Sequence, residues 1–568
     1  LYKKLILIFG FFLYLLWVFK SYTGNIHSNN VDLQKFFNKD FPYTFDFVLN
    51  NTYYFSVTIL YDVLNFFSIN LDNDYVGFFI HLLTTSVKGF FLFLIIKKIE
   101  KVKDSSFLII IVFSLMTIGS LLVEGNDNKV SWVSHMNFTP SYFGQIFRFI
   151  FLYFLLIENI FALIILSPLM ILIGLKSTYF LIGCGVVYSI FYFKNKLKLI
   201  WIFAPIISLM FYLPDINQNL NFDDRKFILE TMIKWDGSET VFHLQPILNL
   251  VLLSISLIIF PIILQSIESK KLKTFSFIVY FFSLINFIFG FIYFKYLYQF
   301  FPIPQIGLLS PTRSMETYQL IFWLVFSIYI FKLNIKNINK VIFFASLFLV
   351  NLGEKGLIIG CILISLNLIF LFFINFLKFT TILSNNKNVI LLLFFLILSP
   401  SIFYLSFKKY KNNFNLYSLK KIQKWTTPSS INEEQINIAL RLQNCNDFVF
   451  HDPINGHFVR TISGKSRLDG HPIMNIYDIN FIKEIEKRET ISLQLTDELK
   501  SLHQISENTK KELERYNVII LINKKYSKKF NKNILRDNIS NNYQLIYFLK
   551  KNEILKFKKN CFSKITLN

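Results

Sequence analysis

Apolar runs of membrane-spanning length recur from one end of this chain to the other, separated by short polar breaks. Reading each run as a helix predicts spans at about 4–20, 76–96, 105–123, 141–157, 160–175, 178–193, 198–213, 245–266, 275–298, 314–332, 341–352, 356–377 and 389–407. The segment 53–68, "YYFSVTILYDVLNFFS", is shorter and carries Asp62 within it. It is assigned to a helix lying on the membrane surface. Beyond about residue 408 the spanning runs stop and a different pattern begins. "NDFVFHD", "YNVIILINKK" and "NYQLIYFLKKNEILKFK" have the dense β-branched and aromatic character of short strands. "EEQINIALRLQN" and "DINFIKEIEKRETISLQLTDELKSLHQISENTKKELER" carry helical apolar spacing. The expected fold class is mostly α: a polytopic helical membrane protein of about 13 transmembrane helices (1–407), followed by a small extramembrane α/β domain (408–568).

Charge sets the orientation. The 568 residues carry 59 Lys and Arg against 36 Asp and Glu, a net charge of +23, which on its own invites a nucleic-acid reading. The distribution argues for no nucleic-acid partner. The lysines gather between apolar runs, in "KKIEKVK" (97–103), "KNKLK" (194–198), "KKLK" (270–273) and "KLNIKNINK" (332–340). Positive charge is hard to translocate, so such clusters mark cytoplasmic loops. Laying 53–68 on the outer surface puts all four clusters inside, with the N-terminus inside and the C-terminal domain outside. The first apolar run, with its basic flank, is read as a retained span, since no small-residue cleavage pattern follows it. Over half the residues are apolar and 69 are Phe, which with abundant Lys, Asn and Ile reflects an AT-rich genome more than a function. Four cysteines are too few for a disulfide framework: Cys184 and Cys361 read as core thiols, and Cys445 and Cys561 lie in the polar C-terminal region.

With that orientation most non-terminal acids fall in outer loops: Asp32, Asp40, Asp46, Asp72 and Asp74, then Glu124 and Asp127 in a second acidic loop, then Asp215, Asp223, Asp224 and Asp236. Acids contribute little to orientation, so they need another explanation, either solvation of the loops or a catalytic face. Arg148 lies inside an apolar run, where a cation is costly unless it is paired or faces a cavity. Lys176 separates two apolar runs on the outer side. Arg313 begins a run at its outer end, where a guanidinium can grip phosphate while its stem lies on apolar surface. "GKS" at 464–466 is no phosphate loop, because the upstream glycine of that fingerprint is replaced by Val459. The polar stretch 451–472 holds His451, Asp452, His457, Arg460, Arg467, Asp469 and His471 without a recognised metal-ligand spacing.

The order of these features resembles the GT-C superfamily of membrane glycosyltransferases. Four stretches are more narrowly similar to an uncharacterised group of bacterial GT-C-like polytopic proteins. They are "FFNKDFPYTFDFVLNNTYYF", "NFTPSYFGQIFRFIFLYF" running on to "LIGLKSTYFLIG", "LLSPTRSMETYQL", and "WTTPSS" with "NDFVFHDPINGHFVRTISGKSRLDGHP". A histidine often stands in that group where this chain has Lys176, and the second-loop acids form no firm DxD-type motif. The resemblance implies transfer of a sugar from a polyprenyl-phosphate donor to an envelope acceptor at the outer face of the bacterial cytoplasmic membrane. Asp40, with Asp32 and Asp46 as lesser candidates, would be the catalytic acid of the first loop. Arg313, Arg148 and Lys176 would bind the donor phosphate, and a divalent cation is an open cofactor. A non-catalytic relative, or a transporter of a lipid-linked component, is the alternative.

Overall fold

The computed structural model describes residues 63–68, 74–102, 140–210, 220–244, 247–309, 311–332, 433–442, 448–451, 479–500, 505–524 and 535–562, with a few isolated positions besides. They are mostly helical, with one small sheet. The chain's described residues divide into two compact units, those of 78–366 in the first and those of 433–562, with 63–68 and 74–77, in the second.

The first unit is a helical bundle. Its elements are α1 (Asp74–Leu94, continued by a π turn to Ile99), α2 (Pro140–Leu156), α3 (Ile160–Tyr192), α4 (Phe203–Leu209), α5 (Phe222–Thr240), α6 (Ile247–Leu264), α7 (Lys270–Ile292, continued by a π turn to Leu297), α8 (Pro304–Leu309) and α9 (Ser314–Lys332). Among the described residues three stretches are long and apolar enough to cross a membrane: Phe79–Ile99, Lys270–Leu297 and Pro304–Lys332. Shorter apolar helices cover Ile146–Leu156, Ile160–Gly174, Thr178–Tyr192 and Leu253–Leu264. The expected run at 198–213 is not one helix. A 3₁₀ segment, Lys196–Ile202, capped by Asn195, passes into the seven residues of α4. The expected spans at 4–20, 105–123 and 389–407 lie outside the described residues, as do nearly all positions of 341–352 and 356–377. Of the segment 53–68 only a helical turn at 63–66 is described.

Helix α3 is 33 residues long, which as a straight rod would separate its ends by about 50 Å. Yet Lys198 Nζ, just past its end, donates to Glu158 Oε2, just before its start, at 2.7 Å. The chain therefore reverses within it. Gly174 has non-helical dihedrals, and the Thr178 hydroxyl lies 2.9 Å from the carbonyls of both Met170 and Gly174, bridging the break. Each limb, Ile160–Gly174 and Thr178–Tyr192, is only about 22 Å long, less than a hydrocarbon core of about 30 Å. Lys176 lies in the backbone of this turn.

One end of the bundle collects the lysine clusters. Glu100 accepts from Lys332 Nζ at 2.6 Å and from the backbone N–H groups of Glu268 and Ser269. Glu158 takes Lys198 on one oxygen and Lys271 on the other, at 2.7 and 2.8 Å. Burial alone would raise the Glu158 pKa, but the hydrogen bonds from Lys198 and Lys271 outweigh it and hold the carboxyl below its ordinary value. These contacts tie together the C-termini of α1, α2 and α9, the N-terminus of α7 and both ends of α3. Helix α9 is central: 16 of its 19 residues are buried, as expected of a helix surrounded by others.

The second unit contains α10 (Glu433–Leu442), β1 (Val449–His451), α11 (Ile479–Lys500), α12 (Glu507–Arg515), β2 (Val518–Asn523), β3 (Arg536–Asn538), β4 (Tyr543–Phe548) and α13 (Lys551–Phe557). The sheet order is β1-β2-β4-β3, with β1 parallel to β2 and the other pairs antiparallel. Both faces of β2 are covered. Ile519 and Leu521 pack in one cluster with Ile438, Leu442 and Phe557, while Val518, Ile520 and Ile522 pack in another with Ile491, Leu495 and Leu513. That is why "VIILI" is apolar without alternation. Two expectations need correction. Residues 542–558 are strand only to Phe548; thereafter Ile554, Phe557 and Cys561 recur at helical spacing and are buried along α13 and its π turn. The long helical stretch 478–515 is two helices. Ser506 caps α12 by accepting from Thr509 N, and its own hydroxyl donates to Glu498. Cys184 and Cys561 are both buried; Cys445 lies outside the described residues.

Candidate functional site

The bundle carries a cluster of charged side chains in its interior. Helix α1 supplies His81, Thr84, Thr85 and Lys88, spaced i, i+3, i+4, i+7, and all four are buried. Phe79, Leu83 and Phe90 face outward. The helix is thus polar inward and apolar outward, the reverse of a helix on a water-soluble protein. The charge of Lys88 acts on His81, and that of Arg148 acts on Lys88.

Arg148, on α2, is 2% exposed and makes a charge-assisted hydrogen bond from Nη2 to Glu316 Oε2 on α9. Glu316 Oε1, the other oxygen, stands 3.9 Å from Arg313 Nη1. Arg313 ends a 3₁₀ turn, Pro311–Arg313, directly before α9, and that turn is buttressed by α7. Asn286 Nδ2 donates to the Pro311 carbonyl at 3.0 Å and also reaches Ser314 Oγ, which itself donates to Pro311 O. Close approach here requires Gly290, where a Cβ would meet the Phe242 ring at 2.8 Å and Pro311 at 3.0 Å. The Tyr179 ring, just past the turn of the α3 hairpin, lies within the fields of Glu316 and Arg313. The hairpin turn, α2 and the start of α9 thus converge. Several polar atoms around the start of α9 are buried with no hydrogen-bond partner among the described residues: Glu316 Oε1, Thr312 Oγ1, Thr317 Oγ1 and Gln319 Oε1.

Two of the expected site residues, Arg148 and Arg313, are brought together by a carboxylate that motif reading passed over. Of Lys176 only the backbone is described. Asp32, Asp40, Asp46, Glu124 and Asp127 lie outside the described residues. Asp223 and Asp224 occupy the first turn of α5, where Asn221 caps the Asp224 N–H at 2.7 Å; they complement a helix N-terminus. Lys88 and His81 were also missed, although their spacing within one apolar run was a usable signal. In the second unit His451 is buried on β1 with Nε2 3.2 Å from Ser492 Oγ. No group of three or more His, Cys, Asp or Glu that could hold a metal occurs among the described residues. Comparison with family models, curated proteins and solved structures gave no match.

Proposed function

We propose that this chain is a GT-C-like glycosyltransferase, moving a sugar from a polyprenyl-phosphate donor to an envelope acceptor at the outer face of the bacterial cytoplasmic membrane. One observation carries the reading: Lys88, Arg148 and Arg313 are buried with Glu316 inside a bundle whose outward surface is apolar. Cations in such a place are costly to maintain, and a lipid with an anionic headgroup is a ligand that matches both the charge and the apolar surround. The finer architecture belongs to the same proposal: about 13 spans, the lysine-rich end cytoplasmic, and the C-terminal unit periplasmic.

In this scheme Asp40 takes the proton from the acceptor hydroxyl, with Asp32 and Asp46 as alternatives. The acceptor oxygen bonds to the anomeric carbon, the bond from that carbon to the phosphate oxygen breaks, and its electron pair leaves with the phosphate. Arg313 and Lys88 stabilise the departing charge. Arg148, whose guanidinium is engaged by Glu316, acts as the counter-ion that keeps that carboxylate in place. The test is incubation of the purified full-length chain in nanodiscs with labelled polyprenyl-phosphate sugars. Label should move to an acceptor or to water, and absence of both binding and transfer across the panel sinks the reading. Transport is the second reading, favoured by the buried His81–Lys88 stripe, because ionisable residues along a spanning helix also mark translocation paths. Flux of a lipid-linked sugar across liposomes without bond cleavage would decide for it.

A further inference from the structure

We infer that Glu316, the Nη1 edge of Arg313 and Thr312 form a recognition site for a hydroxyl group of the transferred sugar, with the phosphate left to Lys88 and the rest of the Arg313 guanidinium. The inference rests on the glycosyltransferase reading and names what its site selects. Glu316 is divided between two tasks. Oε2 is committed to Arg148, while Oε1 is buried, accepts no hydrogen bond among the described residues, and faces Arg313 Nη1 across 3.9 Å. That separation is too long for a direct hydrogen bond. It is the spacing that one oxygen bridges, at about 2.8 Å from each.

The bridging oxygen has to accept from a guanidinium and donate to a carboxylate. A hydroxyl does both. A phosphodiester oxygen has no proton to donate and would be repelled by Glu316, so the Nη1 edge of Arg313 does not suit phosphate. Thr312 Oγ1, one turn before Glu316 and fully buried, has no partner among the described residues either. It can donate to or accept from a second hydroxyl. Such a site rejects ligands lacking matching hydroxyls, because Glu316 Oε1 and Thr312 Oγ1 would then stay buried and unsatisfied. The surrounding parts are fixed before any ligand arrives: Asn286 and Ser314 hold the Arg313 turn, and Arg148 holds the carboxylate.

The experiment compares two probes on the full-length chain in nanodiscs, a polyprenyl-phosphate hexose and the same polyprenyl phosphate without sugar. The native chain should bind the sugar-bearing lipid the tighter. Glu316→Gln should weaken that lipid about tenfold or more without weakening the bare phosphate, from which a repelling charge has been removed. Thr312→Val, which removes only the hydroxyl, should weaken the sugar-bearing lipid severalfold with an unchanged melting temperature, and it keeps the test decisive should Glu316→Gln fail to fold. Equal native affinity for the two lipids means the gap holds water only and overturns the inference, as does an equal loss on both lipids in Thr312→Val. If neither lipid binds the native chain, the donor reading fails on its own. The hydroxyl site is then decided by saturation-transfer NMR with methyl hexopyranosides: a signal lost in Thr312→Val supports it, and no signal, or one that persists, overturns it.

Discussion

The two halves of the helical bundle treat charge in opposite ways. At the lysine-rich end, Glu100 and Glu158 each gather several donors, and the lysines that serve them keep between a fifth and a third of their surface in solvent. Those pairs join chain segments that must meet, and water remains available to every cation. Around α9 the arrangement is inverted. Lys88, Arg148 and Arg313 are all buried, and one carboxylate, Glu316, links two of them from opposite oxygens. Burial removes the solvent that makes the first kind of pair cheap. What the contrast teaches is that solvent access divides the two ends: solvated ion pairs are inexpensive fasteners, whereas desolvated ones carry a penalty that only close pairing offsets.

The contrast is tested hardest at the buried pair. Removing one partner strands the other's charge in an apolar interior, so Arg148→Ala or Glu316→Ala should each cost about 3–5 kcal/mol. Arg148→Met with Glu316→Leu should cost less than the sum, because the two hydrogen-bonded charges leave together and only the more distant Arg313 loses a carboxylate. Melting of the purified full-length variants measures both. A loss below about 1 kcal/mol in the single variants would make this pair equivalent to a surface bridge and remove the distinction.

Glu100 stands between the extremes, since its side chain is fully buried although it belongs to the lysine-rich end. It accepts from Lys332 and caps the backbone N–H groups of Glu268 and Ser269 ahead of α7. Glu100→Ala should cost about 2–3 kcal/mol, in keeping with hydrogen bonds to a charged group. Glu268, exposed and also beside Lys332, should contribute almost nothing when replaced by Ala. If the two variants melt alike, burial is not what ranks these carboxylates.

How much of this was legible in sequence differs between the halves for the same reason. Apolar periodicity located α1, α2, the α3 hairpin, α6, α7 and α9, and the lysine runs identified segments that ion pairs do bring to one end. Those signals are local. Arg148 and Arg313 were also visible, because a cation in or beside an apolar run is conspicuous. Glu316 was not, since its role depends on a partner 168 residues away. The inward stripe His81–Lys88 is readable from its helical spacing, although the apolar residues between its members give the segment the overall hydropathy of an ordinary span. In the second unit β3 escaped because "RDN" has no strand composition, and its place comes only from pairing with β4. The α13 helix was hidden by aromatic and β-branched residues running on from β4.

The smallest effect belongs to Glu158, and its pH dependence separates the two kinds of pair most cleanly. Its carboxyl is held below the ordinary value, against the opposing effect of burial, by Lys198 and Lys271. A depressed folded-state pKa means that the contribution is present above the unfolded value, about 4.5, and is lost as pH falls through the folded value. Between pH 7 and pH 5 the carboxylate is charged in both states and stability should not change on its account. Both lysines are about a third exposed, so screening holds the total to about 0.2–1 kcal/mol, and salt should erode it further. Glu158→Gln should therefore lower the melting temperature slightly at pH 7 in low salt, and the difference from native should shrink in 0.5 M salt and again at pH 3.5. Arg148→Ala, whose charges lie beyond the reach of counter-ions, should keep its full deficit in the same salt. A Glu158 effect indifferent to salt and acid would show that the lysine-rich end is shielded from solvent after all, and the difference between the two halves would reduce to one of degree.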